Sequence, residues 1–276
     1  MSEELNIQFE EMEEDFSTGY VPSKKDLRDY KLNKKVCQTV NLPEAFEVEH
    51  SKIKNQHQTG SCVAHASAEI LEEIESNRVE YSTAWIYGYR PVGYFQGVGM
   101  MPCDAMKTMK NVGCIQKSVL PQNIEIPEAK ELVNKDLNRY KTLASHDKVI
   151  SYARLRTDDE IKEAIYKTGK PVFVCIRTKG LKLDKNYVAE IPPIVCAGGH
   201  AVVCYGWNET GFLIQNSWGS TWGNKGCFIL PYEYGFMEAW VITKDPSISV
   251  KPSAFWLRAL LVSIGKFFER LFVKKS

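Results

Sequence analysis

Cys62 stands where a loop ending in Gly60-Ser61 gives way to a helix-like pattern carried by Val63, Ala66, Ile70, Leu71 and Ile74. A cysteine attacks a carbonyl only as its thiolate, and the start of a helix favours that form through the positive end of its dipole and its unpaired N–H groups. A buried structural cysteine fits the same position, so Cys62 needs partners before it implies catalysis. Gln56, six residues earlier in a polar loop, carries an amide able to donate to the oxyanion of an acyl transfer. With the Cys62 backbone N–H it would stabilise that charge by roughly 3 to 4 kcal/mol. His200 follows Gly198-Gly199 and opens the apolar run Ala201 to Tyr205. Asn216 ends a return segment after the loop Gly206 to Gly211, so a hairpin brings it back towards His200. There its amide can accept from one ring nitrogen and leave the other to face sulfur, while Trp218 shields the bond from water. Singly, these are a loop-solvating glutamine, a structural histidine and a turn asparagine. In one order they supply a nucleophile, a base, an orienting group and an oxyanion donor for acyl transfer. His200 and Asn216 follow Cys62 by 138 and 154 residues.

These side chains must be carried by elements far apart in sequence. The first half reads as helical: one helix from Cys62, a second within 105–112 closing at Gly113, and a third within roughly 128–140. In the second half Thr157 and Glu160 form a capping-box signature for a helix carrying Ile161, Ala164 and Ile165, stopped by Gly169 and Pro171. Strand-like runs follow at 171–176, 200–205, 212–215 and 227–230, separated by Gly, Asn and Pro clusters. Helices first and strands later give an α+β protein with segregated halves.

Composition sets the outer limits. The 276 residues are 44% hydrophobic and 25% charged with a formal net charge of +1, so no basic surplus points to nucleic acid. The acidic residues Glu3, Glu4, Glu10, Glu11, Glu13, Glu14 and Asp15 crowd the first fifteen positions, and the last nineteen are basic. The start lacks the charged and apolar regions of a secretory signal, giving a cytoplasmic or virion-associated protein as the expectation. Eight scattered cysteines without a C-x-x-C pair read mostly as reduced, buried, small apolar residues. No His/Cys cluster has the short spacing of a zinc site; neither metal nor cofactor is implied.

The blocks Asn55-Gln56-x5-Cys62, Gly199-His200-Ala201-Val202 and N-S-W-G-x2-W-G-x2-G from Asn216 to Gly226 resemble the papain family of cysteine peptidases. The resemblance spans roughly residues 42–243, and the Asn-Ser-Trp-Gly block is its most specific part. It implies a two-lobed fold, with a helical lobe presenting Cys62, a β-rich lobe presenting His200 and Asn216, and a peptide or protein substrate lying between them. Gln56 matches the oxyanion glutamine, and Trp218 and Trp222 match tryptophans near one side of that cleft. Gly97-Val98-Gly99 is the nearest counterpart of the family's substrate-binding glycines, making Gly97 and Gly99 candidates. The implied organisation is an acidic extension or short pro-segment over 1–41, a peptidase domain over 42–245 with lobes at about 55–140 and 145–245, and a tail over 246–276. Gly19 to Pro22 and Arg28 to Tyr30 look like the lead-in of bacterial and viral members.

The departures are Val63, Thr59 and His65, where relatives often carry an aromatic, a disulfide cysteine and an aromatic; His65 reads as packing or as a tuner of the thiolate. The full pro-region of secreted relatives is missing, which leaves 1–41 as an autoinhibitory piece or a structural wrap. The first forty-one residues are expected to lie outside the catalytic core, ordered only by docking. In the tail, Trp256, Leu257, Leu260, Leu261, Ile264, Phe267, Phe268, Leu271 and Phe272 share one helical face, with Arg258, Lys266, Glu269 and Arg270 opposite. Residues 254–273 therefore read either as an interfacial helix on anionic lipid or as a helix docked on its own domain or a partner. The implied activity is peptide hydrolysis through a thioester on Cys62, with an inactive peptide-binding module and a ligase or transpeptidase as alternatives.

Overall fold

The computed structural model describes residues 19–24, 26, 29–34, 41–75, 79–90, 99–120, 126–178, 181–191 and 198–250. The tail at 254–273 and Gly97 lie outside the described residues. Helices α1 (Cys62–Ile74), α2 (Thr83–Gly88), α3 (Pro102–Asn111), α4 (Ile126–Lys135) and α5 (Leu137–Ala144) fill the first half. The second half holds β3 (Ser151–Leu155), α6 (Asp158–Thr168), β4 (Val172–Arg177), β5 (Gly199–Trp207), β6 (Gly211–Gln215), β7 (Cys227–Pro231) and β8 (Glu238–Thr243). Three short strands join them: β1 (Lys31–Leu32), β2 (Phe46–Glu47) and β9 (Ser249–Val250).

The nine strands among the described residues belong to one sheet, in the order β7-β6-β5-β4-β8-β3-β1-β9 with β2 added beside β5. Every pairing is antiparallel except β1 with β3. Side chains alternate between the faces of a strand, and here both faces are covered. Phe173, Cys175, Ala201, Val203, Trp240 and Ile242 pack with Val63, Ala66, Ile70 and Leu71 of α1 and with the other helices of the first half. Val172, Val174, Val202, Cys204, Ala239 and Val241 pack on the other face with Ile161, Ala164 and Ile165 of α6. Such double burial explains why β4 and β5 read as continuous apolar runs and not as alternating patterns.

Local signals account for the helix ends. Thr157 Oγ1 accepts from Glu160 N at 3.1 Å, while the Glu160 carboxylate accepts from Arg156 N at 2.7 Å, one residue earlier than a standard capping box. The single helix expected over 128–140 is instead α4 and α5, because Asp136 leaves the helical region at φ −145° and ψ 48°. Helix α2, unanticipated, is capped by Ser82, whose Oγ accepts from Trp85 N. The extension does not stay outside the core as expected, since β1 joins the sheet between β3 and β9.

A buried ion pair ties α1 to the loop that feeds it. Lys54 Nζ lies 2.7 Å from Glu72 Oε1, which also accepts from Tyr81 N, and both side chains are nearly solvent-free. Removing one partner strands the other charge, so Glu72→Ala is expected to cost about 3–5 kcal/mol in urea unfolding. A loss under about 1 kcal/mol, the range of exposed pairs, would contradict this reading of the cluster.

Candidate active site

The loop entering α1 is stitched together before the helix begins. Thr59 Oγ1 donates to Gln56 O at 2.6 Å and lies 2.6 Å from Ser61 Oγ, and His65 Nδ1 lies 3.0 Å from Ser61 O. This holds Cys62 at the first position of α1, where the helix N-terminus contributes positive potential. Helix α1 packs on β5, and the backbone N–H groups of Ala201, Gly19 and Val63 all face the Cys62 sulfur. Residues 139 apart in sequence thereby meet, and Ala201 is the chain neighbour of His200.

The β5–β6 hairpin brings in the third group. Asn216 Oδ1 lies 2.7 Å from His200 Nε2 and also accepts from Ser217 N at 2.8 Å. A backbone N–H can only donate, so the atom facing it is the amide oxygen, and His200 Nε2 must then carry the proton. In the neutral ring the lone pair is left on Nδ1, which is buried and has no hydrogen-bond partner among the described residues. Trp218 stacks on the His200 ring at 4.7 Å and 24°, covering the bond from water as expected, and Trp222 stands edge-on to Trp218 at 5.0 Å.

Gln56 is fully buried, and its backbone N donates to Ser217 O at 2.8 Å. Its Oε1 accepts from Ser217 Oγ at 2.7 Å, which turns the NH2 end towards the loop that enters Cys62, where Nε2 donates to Thr59 O. Gly99 is not the residue that offers its backbone to the cleft. Its N–H donates to Tyr87 Oη and its carbonyl accepts from Arg90 Nη1, so both groups are committed inward. The backbone that pairs outward is that of the next residue, Met100, which the sequence reading did not single out.

Met100 is already paired. Residues 19–24 form a strap through the site: Met100 N donates to Gly19 O at 2.8 Å, Val21 N donates to Met100 O at 3.0 Å, and Tyr20 N donates to Gly199 O at 3.3 Å. The strap thus bridges the helical half and the sheet beside His200. Gly19 presses on the loop before Cys62 so closely that a Cβ there would lie 1.8 Å from Gly60 O. Cys62 and His200 consequently have no solvent exposure.

Burial sets the protonation of this closed form. It pushes the Cys62 thiol up to about 11 against the opposing backbone N–H groups, and it pulls His200 down to about 4 against the Asn216 hydrogen bond. A thiolate–imidazolium pair is therefore not the resting state under the strap, where desolvation favours both neutral forms. Because only thiolate reacts, alkylation of Cys62 by iodoacetamide in the intact chain is expected to rise about tenfold per pH unit towards pH 11. Stopped-flow quenching with peptide mapping checks this, and a rate already flat at pH 8 would contradict it.

Comparison with known proteins agrees with the geometry. The family described as papain family cysteine protease matches residues 42–235. A peptidase C1-like protein of Acanthamoeba polyphaga mimivirus is 43% identical over 82 residues, covering 26% of this chain and 24% of the relative. A cysteine protease of Blomia tropicalis is 24% identical over 224 residues, covering 72% of this chain and 62% of the relative. The matches thus span less than two thirds of either relative's length. Among solved structures, xylellain, a cysteine protease from Xylella fastidiosa, superposes with a TM-score of 0.70 at 25% identity, over 83% of this chain and 97% of that one.

Proposed function

Because this chain belongs to the papain family of cysteine proteases, we propose that it hydrolyses peptide bonds through a thioester on Cys62. The observation that carries the reading is the His200–Asn216 bond, which leaves Nδ1 as the basic ring atom, on the strand whose next residue, Ala201, turns its N–H to the Cys62 sulfur. His200 takes the thiol proton as Cys62 attacks, gives it to the departing amine, and then activates the water that opens the thioester. Asn216 holds the ring in the productive tautomer, and Gln56 with the Cys62 N–H receives the oxyanion. Substrate backbone pairs with Met100 and Gly199, the groups that the strap now occupies, and Trp218 and Trp222 bound one side of the cleft. The strap is autoinhibitory: the chain is closed as folded and opens when residues 19–24 leave.

Mass spectrometry of a peptide library incubated with the purified chain tests the reading. New termini that vanish after thiol alkylation support it; no cleavage by a chain whose strap has been displaced sinks it. Adding an amine nucleophile separates hydrolysis from ligation, since a ligase would return mainly amine-capped products. The N-terminal mass of active protein reads the strap's fate, because an intact terminus in fully active enzyme excludes its removal as an activation step.

A further inference from the structure

A second cysteine of this chain has an imidazole beside it. Cys227 opens β7, and its sulfur lies 3.9 Å from His50 Nε2, the long end of hydrogen-bond reach for sulfur. His50 Nδ1 lies 3.0 Å from Ser51 O. A carbonyl only accepts, so Nδ1 carries the proton of the neutral ring and Nε2 turns its lone pair to the thiol. The Tyr205 hydroxyl donates to the same sulfur, and its ring tilts against His50 at 4.6 Å and 48°. Sulfur thus has a base on one side and, on the other, a donor that favours thiolate.

Two further features say what the site could hold. Cys227 is 9% exposed while His50 stands in solvent, so only a small reagent reaches the sulfur but protons reach the base freely. Gln215, the partner of Cys227 across β6 and β7, shares its face of the sheet and is fully buried. Its Nε2 donates to Ser51 O and Ser51 Oγ at 3.2 Å, while its Oε1 has no donor among the described residues. A buried acceptor left empty beside a sulfur fits a new hydroxyl on that sulfur.

We propose that Cys227 and His50 form a peroxide-reactive site in which the thiol is oxidised to a sulfenic acid, its S–OH received by Gln215 Oε1. Burial pushes the Cys227 thiol up to about 11 against the Tyr205 hydrogen bond, so the sulfur rests protonated and reaction needs a base. His50 Nε2 takes the thiol proton as sulfur attacks hydrogen peroxide. The S–O bond forms as the O–O bond breaks, sulfur is oxidised and peroxide reduced, and the departing hydroxide recovers the proton from the imidazolium and leaves as water. Cys103 is the matched comparison. It is 7% exposed, but its sulfur donates to the Asp104 carboxylate at 3.8 Å, too weak a base to take a thiol proton and a negative charge that opposes thiolate. Neither Cys227 nor His50 belongs to the candidate active site, and their chemistry needs no peptidase activity.

The test exposes the purified full chain to hydrogen peroxide near neutral pH with dimedone, which traps sulfenic acids, and reads the adducts by peptide mass mapping. Adduct on Cys227 is expected to form at least about tenfold faster than on Cys103, or on Cys62 beneath the strap. His50→Ala, a change at an exposed residue, should slow Cys227 by about tenfold or more with the thermal midpoint unchanged. Added imidazole should restore part of that rate, because it supplies the missing base. Cys227→Ser removes the adduct and leaves Cys103 as it was. Labelling of Cys227 no faster than Cys103, or at the parental rate in His50→Ala, overturns the site.

Discussion

Cys62→Ala is expected to lower kcat/KM for peptide hydrolysis by about 10⁴- to 10⁶-fold in a chain whose strap has been displaced, the range seen when a member of a catalytic unit is removed. His200→Ala should fall in the same range. The double variant should be no worse than either single one, because sulfur and imidazole act as one device and the residual rate comes from binding and the oxyanion donors. The Cys62 side chain belongs to the core beside Val63 and Ala66, so removing one sulfur atom leaves a small void and the fold intact. Progress curves on a fluorogenic peptide, with thermal melts as a folding control, measure it. Residual activity within tenfold of the parent would show that another group is the nucleophile.

Displacing the strap should have the second largest effect, and in the opposite direction. Gly19→Val places a side chain where Gly60 O leaves 1.8 Å, and a backbone oxygen in a stitched loop cannot retreat that far. Water then reaches Cys62, and the desolvation that holds the thiol near 11 is relieved. A return towards the ordinary thiol value near 8.5 would raise the thiolate fraction at pH 7 by about 300-fold. The lower nucleophilicity of a more acidic thiol takes back part of that, so alkylation should accelerate by about 10- to 100-fold. The buried thiols of Cys114 and Cys204 serve as internal controls, since neither lies beside the strap and both should stay unreactive. Unchanged reactivity of Cys62 alone would mean that the strap does not gate the site.

The candidate site was legible because it depends on residue types at fixed spacing. Cys62, His200, Asn216 and Gln56 announce themselves by the roles they can share, and the helix from Cys62 and the strands beside His200 carry strong apolar patterns. The strap was not legible in the same way. It binds through the backbone of Gly19, Tyr20 and Val21, and main-chain hydrogen bonds leave no periodicity or composition to read. Met100 was missed for the same reason, although Gly99 before it drew attention to the right turn. Strand β8 escaped because it opens on Glu238, a charged residue that argues against a central strand until Arg154, Trp240 and Tyr20 are seen to satisfy it. His65 stays a packing residue in position, fully buried and turned back on Ser61.

The parallel pairing of β1 with β3 lies only seven residues beyond the strap, and β1 is closed on its other edge by β9. A segment moored there cannot diffuse away when it comes out of the cleft. It remains a leashed competitor at an effective local concentration of about millimolar, so a weakly bound peptide must be abundant to displace it. Recapture is unimolecular and reversible, so the proposed peptidase activity would be throttled by the supply of substrate, whether or not the leash is ever cut.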